Sequence, residues 1–129
     1  MQHLPLIVLV EPEWPTRSYV RAELEELGYD VSVHARAADA IAYLERWGLR
    51  PHVIVVDLAQ DGQQGEALRT LLEHYPEAAL ILLVSPLRAV PRWLEQRAAI
   101  VLKRPVTIRD IIATVQRLAP LPGNPSREA

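Results

Sequence analysis

Polar side chains follow four separate apolar runs of the sequence: they are Glu11, Asp57, Ser85 and Arg104. A carboxylate can attack phosphorus and form an aspartyl-phosphate. A hydroxyl and a cation can then hold the phosphoryl oxygens. Two carboxylates that lie close together repel each other unless a cation neutralises them, and Mg²⁺ is the natural candidate. These residue types therefore indicate phosphoryl-transfer chemistry, provided that the fold brings them together.

The elements that would position them are five strands alternating with five helices. The apolar runs are Leu6–Val10, Val31–Val33, Val53–Val56, Leu80–Val84 and Ile100–Leu102. Continuous runs are typical of parallel strands covered on both faces, whereas the second run alternates with polar residues and is placed at an edge. Repeated strand–helix alternation predicts a doubly wound α/β sheet of order 2-1-3-4-5. Ligands in such sheets bind beyond the carboxyl ends of the central strands.

The helix boundaries carry ordinary stop and start signals. Gly28 and Gly48 follow helical stripes at the position where a left-handed residue ends a helix. Thr107, with Asp110 three residues later, predicts a capping box at the start of the last helix. Pro91 lies inside the fourth helical pattern and belongs at a first helical position, so we expect that helix to begin late and to be short.

The polar residues that follow the strands, in their order along the chain, resemble the motifs of the receiver domain of two-component response regulators, over about Leu6 to Ala119. The segment Val-Ile-Val-Val-Asp57-Leu resembles the phospho-acceptor strand, Leu-Ile-Leu-Leu-Val-Ser85 the strand that ends in the switch hydroxyl, and Leu-Lys-Arg104-Pro105 the final Lys–Pro motif. The resemblance implies the flavodoxin-like receiver fold, with Asp57 as phospho-acceptor and Ser85 and Arg104 beside it. It also implies a cis bond before Pro105.

The same resemblance implies a Mg²⁺ site and a set of partners. Its metal ligands would be Glu11, Asp57 and the backbone carbonyl of Ala59, with Glu13 as a substitute ligand. The phosphoryl group would come from a histidine kinase, within a phosphorelay. Contacts with signalling proteins, or a homodimer, would use the surface formed by the fourth helix, the fifth strand and the fifth helix, which carries Arg88, Arg92, Lys103 and Arg109.

Three departures from the family pattern predict an atypical receiver. The second member of the acidic pair falls on Pro12, which has no ligand atom in its side chain. The family lysine falls on Arg104, a bulkier cation with a planar fork, and strand alternation directs Lys103 away from the site. The family's switch aromatic falls on Val101. We therefore expect weak or absent Mg²⁺ binding and weak or absent phosphorylation at Asp57.

Several alternatives remain open at the level of sequence. Arg104 could bind phosphate, or it could form a permanent salt bridge with Asp57. The chain could be a working phospho-acceptor rather than a module that acts by protein–protein contact alone. A small nucleotide-binding enzyme is disfavoured because prolines, and no glycine-rich loop, follow the first strand. We expect no enzymatic activity and no nucleotide or other organic cofactor.

The composition of the chain limits the classes of protein to which it could belong. The chain has 129 residues, half of them apolar and 23% charged, with a formal net charge of −2. This balance lacks the basic footprint of a nucleic-acid-binding domain. No apolar run approaches the length of a membrane span and cysteine is absent, so we expect a cytoplasmic protein without disulfides. We expect a receiver-type domain over residues 1–119, and over residues 120–129 a flexible tail or linker with nothing to bury.

Overall fold

The computed structural model describes residues 4–58 and 65–122 and has the predicted α/β alternation. The elements in chain order are β1 (Leu6–Val10), α1 (Trp14–Leu27), β2 (Asp30–His34), α2 (Ala37–Trp47), β3 (Val53–Asp57), α3 (Gly65–His74), β4 (Ala79–Val84), α4 (Arg92–Arg97), β5 (Ile100–Lys103) and α5 (Ile108–Leu118). All the strand pairs are parallel, in the order β2-β1-β3-β4-β5. The predicted topology and the edge position of the second strand are thus confirmed.

Side chains of the central strands pack alternately on two helical layers. In β1, Ile7 and Leu9 face α1 and α5, whereas Val8 and Val10 face the layer of α2, α3 and α4. All four are fully buried. Successive residues of a strand point to opposite faces, so a strand covered on both sides must be apolar throughout. No helix in the described ranges is long and apolar enough to cross a membrane.

The helices end and begin at the predicted residues, except that α4 begins one residue later than predicted. Gly28 and Gly48 end α1 and α2 with φ values of 107° and 61°, in the left-handed region that glycine adopts without steric cost. The fourth helix is short, as predicted. Pro91, however, is its N-cap, with an extended ψ of 138°, and not its first helical residue. Pro91 still accepts the first hydrogen bonds of the helix, from the N–H groups of Leu94 and Glu95.

The start of the predicted tail is packed. Leu121 is half-buried against the core between the sheet and the α1–α5 layer, so the expectation that nothing beyond residue 119 is buried was wrong at this position. Nearby, the hydroxyl of Tyr29 donates a 2.7 Å hydrogen bond to the carbonyl of Ala119. Residues 123–129 of the predicted tail lie outside the described residues.

The capping box at the start of α5 gives a first prediction. Thr107 Oγ1 accepts the N–H of Asp110 at 3.0 Å, and Asp110 Oδ2 accepts the N–H of Thr107 at 2.9 Å. Replacing Thr107 by alanine should lower the free energy of unfolding by about 1 kcal/mol. Urea denaturation measures this loss. The control is Thr70→Ala within α3, where the hydroxyl only donates to the carbonyl of Glu66. An equal loss in the two variants would contradict a stabilising role of the cap.

Candidate functional site

Backbone hydrogen bonds continue past the ends of the strands and fix the positions of the residues that follow them. The N–H of Glu11 donates to the carbonyl of His34 at 2.9 Å, which extends the β1–β2 ladder by one residue. The N–H of Arg104 donates to the carbonyl of Val84, also at 2.9 Å, and extends the β4–β5 ladder in the same way. Because Val10 is paired with Val56, the next residues along β1 and β3 are Glu11 and Asp57. The register therefore brings the two carboxylates side by side.

Asp57 and Arg104 form a direct ion pair. The guanidinium of Arg104 donates from Nη2 to Asp57 Oδ2, and the Asp57 side chain is fully buried while that of Arg104 is 33% exposed. The hydrogen bond to Asp57 is the main cause that raises the pKa of Arg104 above its ordinary value. Lys103 is exposed at the end of β5. The Arg104–Pro105 peptide bond is cis, as predicted.

Glu11 is a buried acid with a raised pKa. Only 1% of its surface is exposed. Burial, reinforced by the hydrogen bond with Asp57, raises its pKa from the usual 4.5 to about 8. An ionised Glu11 would leave Oε1 buried without a donor among the described residues. Burial and the neighbouring Asp57 therefore favour the protonated form of Glu11.

The loop after β1 is organised by contacts that the sequence did not predict. The N–H of Glu13 donates to Glu11 Oε2 at 3.0 Å, while the Glu13 side chain is exposed at the N-cap of α1. Arg17, in the first turns of α1, donates from Nη1 to the carbonyls of Glu11 at 2.8 Å and Pro12 at 2.9 Å. No motif singled out Arg17, because arginines on helical surfaces are common in this sequence. Its role is to hold the backbone on which Glu11 stands.

Ser85 follows β4, on the strand adjacent to Asp57, as predicted. Its Oγ accepts the N–H of Leu87 at 3.2 Å and so stabilises the turn after the strand. The predicted carbonyl ligand, Ala59, lies outside the described residues. Of the other predicted site residues, the structure brings Glu11, Asp57 and Arg104 together, and it gives Glu13 a contact to Glu11 through its backbone N–H.

The carboxylate oxygens of Glu11 and Asp57 are not arranged as ligands of a divalent cation. Mg²⁺ requires near-octahedral oxygen ligands and is usually held by one or two charged carboxylates. Here Asp57 Oδ2 is bonded to a guanidinium, and Glu11 Oε2 accepts a backbone N–H. Within the described ranges, no group of three or more acidic or histidine side chains could hold a metal ion. The Arg104 guanidinium supplies the positive charge that a metal would otherwise bring.

Magnesium affinity should therefore respond to residue 12. We expect Pro12→Asp to bind Mg²⁺ more tightly than the native chain by on the order of tenfold or more, since a carboxylate within a few ångströms of the ion adds several kcal/mol of attraction. Calorimetric titration measures the difference. Pro12→Ala, which removes the proline ring without adding a carboxylate, is the control and should match the native chain. Native binding at tens of micromolar would show that the cluster does accept the ion.

Known proteins resemble this chain in structure alone. No protein-family model matches it, and no curated protein matches it either. Among solved structures, an adenylate cyclase from Rhodopirellula baltica has a TM-score of 0.76 at 19% identity, with 91% of this chain and 88% of that chain covered. A response regulator receiver domain protein from Clostridium thermocellum has a TM-score of 0.73 at 19% identity, covering 90% and 94%. A CheY-like receiver domain protein from Methanospirillum hungatei has 0.75 at 17%, covering 91% and 95%.

The likeness extends over nearly the whole domain. Each of these chains is covered almost completely, and the shared architecture is the five-stranded parallel sheet of order 2-1-3-4-5. At identities of 17 to 19%, the agreement concerns the path of the backbone. The chain has the flavodoxin-like fold of response regulator receiver domains.

Proposed function

We propose that the chain is a receiver-type signalling module that acts by protein–protein contact, with weak or absent phosphorylation at Asp57. The observation that carries this proposal is the ion pair of buried Asp57 with Arg104. The receiver fold and the position of Asp57 at the end of β3 support the signalling class. Residues 1–119 form the module in this proposal, with residues 120–129 as its tail or linker.

Phosphoryl transfer to Asp57 would require the cluster to rearrange. A carboxylate nucleophile needs an accessible oxygen, and the incoming phosphoryl group needs cations that neutralise its charge. Asp57 is 1% exposed, and the nearest cation is already bonded to it. Breaking a buried ion pair costs several kcal/mol when one partner is left uncompensated. This cost supports a site that stays in one state.

The proposed contact surface is formed by α4, β5 and α5. Four exposed cationic side chains lie on it or in the turn before α4: they are Arg88, Arg92, Lys103 and Arg109. A positive surface on a chain of net charge −2 favours an acidic partner surface by electrostatic complementarity. Val101, in β5, is half-buried against the core on the face covered by α2, α3 and α4. The family resemblance places a switch aromatic at this position. The partner in this proposal is a histidine kinase, another signalling protein or a second copy of the chain.

The alternative of a working phospho-acceptor is favoured by Asp57 and Ser85, which follow adjacent strands at the same edge of the sheet. An enzymatic role is not proposed. The likeness to a protein described as an adenylate cyclase concerns the fold, and no glycine-rich loop follows β1.

Phosphorylation with acetyl phosphate and Mg²⁺, followed by intact-mass measurement, tests the proposal. We expect the native chain to gain no phosphoryl group. The Pro12→Asp, Arg104→Lys double variant restores the family's acidic pair and lysine, and it should gain one. Adding Asp57→Ala to the double variant should abolish that gain, which assigns it to this residue. A phosphoryl gain by the native chain, lost in Asp57→Ala, would establish the working phospho-acceptor instead.

A second measurement addresses the contact surface. Self-association should be equal for the native chain, the Asp57→Ala variant and a sample treated with beryllofluoride and Mg²⁺, because a group that does not bind one state better cannot shift an equilibrium. Analytical ultracentrifugation measures it. A tenfold gain in association on treatment, absent in Asp57→Ala, would contradict a module held in one state.

A further inference from the structure

A cleft lies between α3 and α4, on the face of the sheet opposite α1 and α5. Its volume is about 620 Å³, within the range of roughly 300–1,000 Å³ that is typical of small-molecule sites. The large apolar residues that line it are Leu58, Leu68, Val84, Val90, Trp93 and Leu94. We call this space the α3–α4 cleft.

The sequence explains why the cleft is open. Pro86 and Pro91 stand between β4 and α4, and α4 begins only at Arg92. A proline lacks the N–H that a helix interior needs, so the helix starts late and covers only part of the sheet. Among the described residues, α4 therefore leaves an open space beside α3 and the end of β4. Trp93, half-buried on the first turn of α4, forms the wall opposite α3.

The charged residues that line the cleft are two arginines and one acid. Arg69 and Arg88 carry two positive charges against the one negative charge of Glu66, which leaves one positive charge. Arg69 lies over the Trp93 ring, 4.6 Å from its centroid, and its contact with Glu73 is long, at 3.9 Å, between two exposed groups. None of the ion pairs within the described residues includes Arg88.

We propose that the α3–α4 cleft binds a small organic anion that has an apolar or aromatic body and an acidic group paired with Arg88. The apolar walls bury the body, which removes its surface from water. The guanidinium of Arg88 donates a charge-assisted hydrogen bond to the acidic group. The proposal is independent of the phosphorylation state of Asp57, although Leu58 and Ser85, which follow Asp57 and β4, both line the cleft.

Anilinonaphthalene sulfonate, an aromatic anion, is the probe for this site. Fluorescence titration should give saturable one-to-one binding to the native chain, and Arg88→Gln should weaken it on the order of tenfold, as the loss of one charge-assisted hydrogen bond predicts. Arg92→Gln removes the same charge from an exposed position outside the cleft, and it should change the affinity by less than about twofold. Phenylnaphthylamine, the neutral analogue, should not distinguish Arg88→Gln from the native chain.

The three tryptophans locate the bound probe. In the amide NMR spectrum, the indole N–H of Trp93 should shift on titration, while those of exposed Trp14 and Trp47 should not. The proposal is overturned if no saturable binding occurs, if the shifts concentrate at Trp14 or Trp47, or if Arg88→Gln and Arg92→Gln weaken binding equally. Both substitutions are on exposed side chains, so the variants remain folded.

Discussion

Arg104→Met should lower the free energy of unfolding by about 2 to 3 kcal/mol at pH 7, because the substitution leaves Asp57 as a buried carboxylate without its cation. The value is below that for a fully buried pair, since one third of the Arg104 side chain is exposed and solvent screens part of the interaction. Methionine keeps most of the aliphatic stem, so the loss reports the charge and its hydrogen bond. Urea denaturation measures it.

Lys103→Met is the matched control, because it removes the same charge from the neighbouring, exposed position. We expect its effect to stay within about 0.5 kcal/mol. In the Asp57→Asn, Arg104→Met double variant, the combined loss should be smaller than the sum of the single losses, since partners in one ion pair are not additive. Additive losses would mean that the two side chains do not stabilise each other.

Stability should also fall as the pH rises from about 5 to about 8, because Glu11 keeps a proton in the folded chain that the unfolded chain has released. Its pKa is raised to about 8 by burial and by Asp57, so the folded state binds more protons throughout this interval. The slope from this group is at most roughly 1.4 kcal/mol per pH unit, and the loss ends above the folded pKa. Urea denaturation across this range measures the trend.

The Glu11→Gln variant isolates the contribution of Glu11 to the pH dependence of stability. Its carboxamide can donate to Asp57 and accept the N–H of Glu13, and it does not titrate. The free energy of unfolding of the variant should therefore increase relative to that of the native chain as the pH rises. Glu13→Gln, at an exposed acid, is the control and should leave the native profile unchanged. His34 acts in the opposite direction, because burial lowers its pKa and stability from that group is lost as the pH falls. A constant difference between native chain and Glu11→Gln would contradict a protonated Glu11.

The strands of the sheet could be predicted because each is specified by a local pattern in the sequence. Strands buried on both faces must be apolar at every position, so β1, β3 and β4 are visible as runs in the sequence. The capping box at Thr107 and the glycine at position 28 are equally local, since each satisfies backbone groups within a few residues. Packing decided the start of α4 and the burial of Leu121, because both depend on neighbours distant in the chain.

At the candidate site, the sequence determined which residues follow the strands, and through the parallel register it determined that Glu11, Asp57 and Arg104 are close together. It left open whether Arg104 pairs with Asp57, and it gave no sign that the pKa of Glu11 is raised or that Arg17 holds the loop. Those properties depend on burial and on distances between side chains from different strands and helices. The free energy of a charge is set by the solvent and partners around it, and only the tertiary structure supplies those.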